Sequence, residues 1–171
     1  DDRNQLEQMG MMQSSIIKLD NFIEDILDYS RNARKEVAMR AIDFKQTIDE
    51  IMKNLAHMDG ADSIELKFEI NQKIEFISDR ARVNMIFNNI ISNAIKYKDN
   101  SKENAFIAIN VDCSNDFATI SIEDIGIGID EKNLGRIFDM FYRATNLSTG
   151  SALGLYIAKD AIDKIHVTMK I

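Results

Sequence analysis

The chain has 171 residues, a hydrophobic fraction of 45% and a formal net charge of −7, which suits one globular domain with an appendage. Its basic residues form no block, so we expect no nucleic-acid-binding surface. No apolar run approaches the roughly 20 residues that cross a bilayer, and the first residues do not resemble a secretion signal. We therefore expect no membrane contact by this chain.

Two further expectations concern the single cysteine and the start of the chain. Cys113 cannot form an internal disulfide and lies in an alternating, strand-like context, which indicates a small core residue and a cytoplasmic protein. The chain begins at Asp1 without a methionine and runs directly into a helical pattern. We interpret it as a piece of a longer protein.

The first segment, from Leu6 to about Arg34, has the pattern of an amphipathic helix. Such a helix is not stable alone, because its apolar face needs a partner. Two interpretations stay open: a helix docked on its own domain, and half of a helical hairpin that dimerises. The second is favoured by the alternating gaps of four and three between apolar positions, which are Met12, Ile16, Leu19, Ile23 and Ile26.

Strands and helices are mixed after the charged joint at 32–36. Asp43 and Gln46 have the spacing of a capping box, which opens a helix that carries apolar residues as far as Leu55. The sequence therefore predicts a short amphipathic helix soon after the joint.

The next segments predict strands followed by a second helix. Apolar and polar residues alternate over 64–70, which predicts a strand with one buried face, and residues 74–76 suggest its hairpin partner. Ser78 or Asp79 then caps a helix that ends near Tyr97.

The C-terminal part predicts two more strands, around 107–111 and 118–122, joined by a short polar turn. A loop-rich zone over 126–150 precedes a last helix from about 152 to 164, and residues 167–171 have the pattern of a strand. Strands paired in hairpins with helices on one face make an α+β sandwich.

Two asparagines one helical turn apart, Asn89 and Asn93, form a polar stripe with Lys96 in an otherwise apolar segment. Helix interiors do not favour asparagine, so packing explains the pair poorly, although a buried or capping asparagine is the alternative. Amide oxygens can ligate Mg²⁺, which takes oxygen ligands and needs few from the protein beside phosphates and waters. We predict that Asn93 is a metal ligand.

Asp124 closes a predicted strand and is followed by Gly126 and Gly128. A carboxylate at such a turn can accept a hydrogen bond from an exocyclic amine such as that of adenine, while the glycines let the chain approach closely. The same pattern also fits a plain loop at the end of a strand.

Gly150 and Gly154 flank the start of the predicted last helix. The first N–H groups of a helix have no partners within it and its dipole favours an anion, which makes phosphate the expected ligand. The alternative is that Gly150 only breaks the chain before a helix.

Four segments, in order, resemble the N, G1, F and G2 boxes of sensor histidine kinases: 89–97, 124–128, 137–143 and 150–155. These kinases belong to an ATP-binding superfamily shared with gyrase B, Hsp90 and MutL. The resemblance implies a two-layer α/β sandwich of the Bergerat type over 35–171. It also implies that residues 1–34, which end in Ile-Leu-Asp-Tyr-Ser-Arg and a short tail, are the second helix of a dimerising phosphotransfer hairpin.

The resemblance also implies an activity and individual residue roles. ATP and Mg²⁺ would be the cofactors, a homodimer the assembly, and a response regulator receiver domain the final phosphoryl acceptor. Asp124 would hold adenine, Asn93 would coordinate Mg²⁺, and Phe138 with Phe141 would anchor a lid, although these aromatics also fit an ordinary core. The residues implied to surround the nucleotide are Asn89, Asn93, Lys96, Tyr97, Asp124, Gly126, Gly128, Ile129, Phe138, Phe141, Arg143, Gly150, Leu153, Gly154 and Leu155.

The expected chemistry is phosphoryl transfer rather than hydrolysis. ATP-hydrolysing relatives place a glutamate where this chain has Asn89, and a neutral amide cannot act as a general base. A histidine acceptor needs less activation than water. The acceptor motif of the family occurs nowhere here, and His57 and His166 fit surface or packing positions, so we expect the acceptor on a preceding helix outside this chain.

Departures from the family pattern keep two alternatives open. Ala152 stands where the family usually has glycine, and the lid over 144–149 is short. A degenerate module that binds nucleotide or a partner without phosphoryl transfer is therefore the first alternative. A hydrolytic or chaperone-like ATPase is the second, and Asn89 disfavours it.

Overall fold

The computed structural model describes residues 2–114, 117–144 and 152–170, and its mixture of helices and strands confirms the predicted α+β class. Its five α-helices in the described ranges are α1 (Asp2–Arg34), α2 (Phe44–Leu55), α3 (Arg80–Lys96), α4 (Glu131–Leu134) and α5 (Gly154–Lys164), and Ala61–Ser63 forms a short 3-10 helix. Its strands there are β1 (Met39–Ile42), β2 (Glu65–Gln72), β3 (Phe76–Asp79), β4 (Phe106–Ser114) and β5 (Phe117–Asp124).

The main sheet has the strand order β2-β4-β5, in which β2 runs parallel to β4 and β5 runs antiparallel to it. The prediction that residues 74–76 form the hairpin partner of 64–70 is wrong, because β3 instead pairs antiparallel with β1 in a separate two-stranded sheet. The physical reason is that β4 has a fully buried apolar face, and β2 buries its own apolar side by pairing next to it. The register sets Leu66 beside Ile107 and Ile70 beside Val111, so the half-buried side of β2 extends that face.

The core lies between β4 and helices α2 and α3. All three elements turn apolar side chains at their characteristic period toward one another, and helix α5 packs on α3 through its own apolar face. The core residues of these four elements are Phe44, Ile48, Ile51, Leu55, Val83, Phe87, Ile91, Ala94, Ile95, Ile107, Ile109, Val111, Cys113, Ile157, Ala158, Ala161 and Ile162. The predicted core position of Cys113 is confirmed, and burial raises the pKa of its thiol.

Side-chain caps begin two of these helices. Asp43 accepts a hydrogen bond from the Gln46 N–H at 2.9 Å, as predicted, while the Gln46 side chain donates to Glu50, so only half of the capping box forms. Asp79, rather than Ser78, caps α3 and accepts from the Arg82 N–H at 3.0 Å.

Three further features concern the ends of the chain. Residues 167–170 form no strand, so that prediction is wrong for them, and Ile171 lies outside the described residues. Helix α1 exposes a row of apolar side chains along its length. Among the described residues no helix combines the length and apolar character of a membrane span. The exposed apolar residues of α1 are Met9, Met11, Met12, Ile16, Ile17, Leu19, Ile23, Ile26 and Leu27.

Candidate functional site

Helix α3 carries the predicted polar stripe on a face that solvent can reach. Asn89 and Asn93 are half-buried and Lys96 is exposed, whereas Phe87 on the other side of the helix is buried in the core. The Asn89 side-chain Nδ2 donates to the Met85 carbonyl at 2.8 Å. This bond orients the amide and leaves its oxygen available as an acceptor.

Helix α5 begins against this stripe. A β-carbon at Gly154 would lie 2.8 Å from the Asn89 Oδ1 and 3.8 Å from the Asn93 Nδ2. A side chain at position 154 would force either the Asn89 amide or the start of α5 to shift, so glycine allows the present close approach. The first-turn N–H groups of a helix have no partners within that helix, and here that turn lies beside two amide side chains.

Asp124 lies exposed at the end of β5, where its Oδ1 accepts a hydrogen bond from the Gly126 N–H at 2.7 Å. Gly126 is buried, and a β-carbon there would lie 2.6 Å from the Tyr97 carbonyl oxygen. The Ile127 N–H donates to that same carbonyl at 3.0 Å. The turn after Asp124 is therefore packed on the C-terminal end of α3.

The Asp124 turn and the asparagine stripe are consequently neighbours. The Tyr97 N–H donates to the Asn93 carbonyl at 2.9 Å, so the residue that receives the turn lies one helical turn beyond Asn93. Lys102 adds a further tie, because its Nζ donates to the Gly126 carbonyl at 3.0 Å. Sequence reasoning missed Lys102, which stands in a polar turn with no periodic signal.

The aromatic pair in the loop-rich zone does not behave as one unit. Phe138 is half-buried, whereas Phe141 is 53% exposed, so the alternative that it is an ordinary core residue is wrong. Its ring instead lies 5.9 Å, centroid to centroid, from the ring of Phe22 in α1. Phe141 also has a positive φ of 66°, which turns the chain sharply there.

The remaining predicted residues have varied surroundings. Gly128 has a φ of 73°, a conformation that favours glycine, while Ile129 and Arg143 are exposed. Leu155 is half-buried, but Leu153 is only 1% exposed, so its side chain anchors the start of α5 in the interior and does not face solvent. Gly150 lies outside the described residues.

Helix α1 contacts this region at a second place that sequence reasoning missed. The rings of Tyr29 and Tyr156 lie 5.7 Å apart and their hydroxyl oxygens 3.5 Å apart. The hydrogen bond with Tyr156, together with burial, raises the pKa of Tyr29 to about 12. Tyr156 follows Gly154 by two residues, so α1 lies alongside the start of α5.

The donor set at this site suits a magnesium nucleotide. Within the described ranges no group of three or more histidine, cysteine, aspartate or glutamate side chains is placed to hold a metal. A metal between α3 and α5 would take an amide oxygen from the protein and complete its shell with phosphate oxygens and water, as Mg²⁺ does at nucleotide sites. The close approach at Gly154 and the accessible carboxylate of Asp124 fit the phosphate and base ends of such a ligand.

Comparison with known proteins also supports a nucleotide-binding site. The family described as "Histidine kinase-, DNA gyrase B-, and HSP90-like ATPase" matches residues 78–171, more than half of the chain. The autoinducer 2 sensor kinase/phosphatase LuxQ of Vibrio vulnificus is 30% identical over 176 aligned residues, which cover 96% of this chain. The chain spans only 20% of the length of that relative.

Solved structures share the fold across almost the whole chain. Histidine kinase ThkA in complex with response regulator protein TrrA has a TM-score of 0.69 at 22% identity, and the match covers 98% of this chain and 46% of that one. Full-length ShkA in complex with AMPPNP has a TM-score of 0.70 at 17% identity, with 96% and 34% covered. The matched region includes α1.

Proposed function

Because this chain belongs to the family of histidine kinase-, DNA gyrase B- and HSP90-like ATPases, we propose that it is the catalytic core of a two-component sensor histidine kinase. The core binds ATP with Mg²⁺ and transfers the γ-phosphoryl group to a histidine on a helix outside this chain. A response regulator receiver domain then takes the phosphoryl group. One observation carries the proposal: the amides of Asn89 and Asn93 meet Gly154 at the start of α5, next to the Asp124 turn.

Each part of the site has a separate task in this proposal. The Asn93 amide oxygen is the protein ligand for Mg²⁺, which when bound neutralises phosphate charge. Gly154 lets the first turn of α5 approach, so that its N–H groups can donate to phosphate oxygens. Asp124, held by the Gly126 N–H, accepts from the exocyclic amine of adenine.

Asn89 favours transfer over hydrolysis. Its amide donates to the Met85 carbonyl and has no basic form that could deprotonate a water molecule. An imidazole acceptor needs no such base, so positioning and charge neutralisation can supply most of its rate.

The proposed domain organisation follows from the same assignment. Residues 1–34 are the second helix of a dimerising hairpin and residues 35–171 are the ATP-binding domain. The exposed apolar side chains of α1, among them Ile16 and Ile23, support a homodimer in which further helices cover this face. A cytoplasmic location, supported by the unpaired Cys113, belongs to this proposal.

A second candidate is a module that binds nucleotide or a partner without phosphoryl transfer. It is favoured by Ala152, which has a φ of 61° just before α5. A side chain in this left-handed region is strained, so forming the loop before α5 costs more here than with glycine.

Acid-labile phosphate on the protein separates these candidates. The chain is extended by the residues that precede Asp1 in the intact protein and incubated with γ-labelled ATP and Mg²⁺. Label that acid removes and base leaves in place supports the kinase, and Asn93→Ala should abolish it while Asn88→Ala, at an exposed position of the same helix, should keep it. ATP binding without label would support the second candidate. Rapid phosphate release without any histidine acceptor would support a hydrolytic ATPase.

A further inference from the structure

Arg82 and Asp79 form a buried ion pair at the start of α3, the end of this helix that lies farthest from Tyr97. Only 5% of the Arg82 side chain and 4% of the Asp79 side chain are exposed, and the Arg82 Nη1 donates to the Asp79 Oδ2. A buried ion pair loses hydration, and apolar residues of similar volume often stabilise a protein as well. A contribution to stability alone therefore explains the choice of an ion pair at this position poorly.

Both partners also bind the segment that connects α1 to β1, residues 35–38, which we call the junction. The Arg82 Nη2 donates to the Lys35 carbonyl at 2.8 Å. The Ala38 N–H donates to the Asp79 Oδ2 at 2.9 Å. The two charged side chains thus grip the junction at both of its ends.

Apolar packing contributes little to holding the junction. All four of its residues are exposed, including Val37 at 46%. A cavity of about 360 Å³ lies beside it, with Lys35, Ala38 and Asp79 among its lining residues. The polar contacts to Arg82 and Asp79 are therefore the main connection between the junction and α3.

We propose that Arg82 is a positioning residue that, with Asp79, locks the junction onto the first turn of α3 and so fixes the orientation of α1 relative to the helix that carries Asn89 and Asn93. The significance for catalysis rests on the proposed function, in which α1 pairs with the helix that bears the acceptor histidine. The contact of Tyr29 with Tyr156 is consistent with one defined orientation of α1 along the start of α5. A rotation of α1 would be transmitted to the first turn of α3 through the hydrogen bonds of Arg82 and Asp79 to the junction.

The test measures the distance between α1 and the body of the chain by spin labels. Labels are placed on Gln13→Cys and Asn100→Cys, both at exposed positions, and the native Cys113 is buried, so we expect it to stay unlabelled. Labelled protein is diluted with unlabelled chain so that only distances within one chain are seen. The parent should give one narrow distance distribution.

Two variants weaken the lock from opposite sides. Ala38→Pro removes the N–H that donates to Asp79 and leaves the buried pair intact, whereas Arg82→Lys keeps the charge but loses the forked geometry that reaches both Asp79 and Lys35. Each should at least double the width of the distance distribution. Ala38→Gly is the matched control, since it retains the N–H and should keep the narrow distribution.

The outcomes distinguish a specific lock by Arg82 and Asp79 from a general effect of any substitution at position 38. A narrow distribution in both Ala38→Pro and Arg82→Lys would overturn the proposal, as would equal broadening in Ala38→Pro and Ala38→Gly. If Arg82→Lys does not fold, the two Ala38 variants decide alone, because both keep the buried Arg82–Asp79 pair and their distance distributions are compared under conditions in which each variant is folded. ATP titration of the parent is the separate control: absent binding would contradict the proposed function and leave the distance result valid.

Discussion

The α-carbon of Gly154 packs against the side chain of Asn89 so closely that a β-carbon at position 154 would lie 2.8 Å from the Asn89 Oδ1. This contact joins the first turn of α5 to the polar stripe of α3. It sets the separation between the two elements that are proposed to hold the phosphates and the metal.

Gly154→Ala should therefore weaken nucleotide binding. The added methyl group must displace either the Asn89 amide or the start of α5, and we expect a loss of about tenfold in ATP affinity, which corresponds to about 1.4 kcal/mol. Isothermal titration with Mg-ATP measures it. Gly135→Ala is the control, because no atom lies within 4 Å of a β-carbon at that position; equal affinities of the two variants would contradict the assigned role of this contact.

Ala152→Gly should increase the stability of the folded chain. Ala152 has a φ of 61°, and relieving the steric strain of its side chain should raise the free energy of unfolding by about 1 kcal/mol. Denaturant unfolding measures this change. Ala144→Gly, in which no such strain is relieved, should not stabilise the chain, and a gain of the same size in both variants would refute the explanation by backbone strain.

Local periodicity was enough to predict the elements that bury one regular face, such as α3 and β4. It failed for β1, since three of its four residues are exposed and show no alternation. The pairing of β2 with β4 joins residues such as Leu66 and Ile107, which are 41 positions apart. No local pattern encodes such a pairing.

For the candidate site, too, some residues could be recognised from the sequence and others could not. Asn89, Asn93 and Asp124 stood out because asparagine is unusual within a helix and because a carboxylate before two glycines marks a turn. Lys102 and Arg82 did not stand out, because their importance depends on which distant backbone atom the end of a long side chain reaches. The contact of Tyr29 with Tyr156 spans 127 positions and likewise leaves no trace in the sequence pattern.

Asp79 should make the stability of the chain vary with pH in the acidic range. Burial by itself raises the pKa of Asp79, but hydrogen bonds from the Ala38 and Arg82 N–H groups and the Arg82 guanidinium lower it below its ordinary value of 3.8. A carboxyl whose pKa is lower in the folded than in the unfolded chain stabilises the fold above the unfolded value. That contribution is lost as the pH falls through the folded value.

Asp79→Asn tests this contribution. The variant keeps a capping side chain but removes the buried carboxylate charge that pairs with Arg82, so we expect a loss on the order of 3 kcal/mol in the free energy of unfolding at pH 7. The difference from the parent should shrink as the pH falls below about 4. Asp49→Asn, at an exposed ion pair with Lys45, should change stability by less than about 0.5 kcal/mol. A difference between Asp79→Asn and the parent that is independent of pH would rule out the electrostatic explanation.

The exposed face of α1 should mediate self-association. Ile16 and Ile23 are 60% and 46% exposed and lie one above the other at helical spacing. The double variant Ile16→Glu/Ile23→Glu places charges in the expected apolar seam and should make the chain monomeric in sedimentation equilibrium. Gln13→Glu adds a charge at another exposed position of the helix and should remain associated; a parent that is itself monomeric would exclude this interface.

The magnesium dependence of ATP binding tests the central claim most directly. ATP is titrated into the parent, Asn93→Ala and Asn88→Ala, each with Mg²⁺ and with a chelator. Mg²⁺ should tighten ATP binding to the parent and to Asn88→Ala by at least about tenfold, which is about 1.4 kcal/mol, and should give no such gain in Asn93→Ala. Equal Mg-ATP affinity of the parent and Asn93→Ala would contradict the assignment of this amide as the metal ligand.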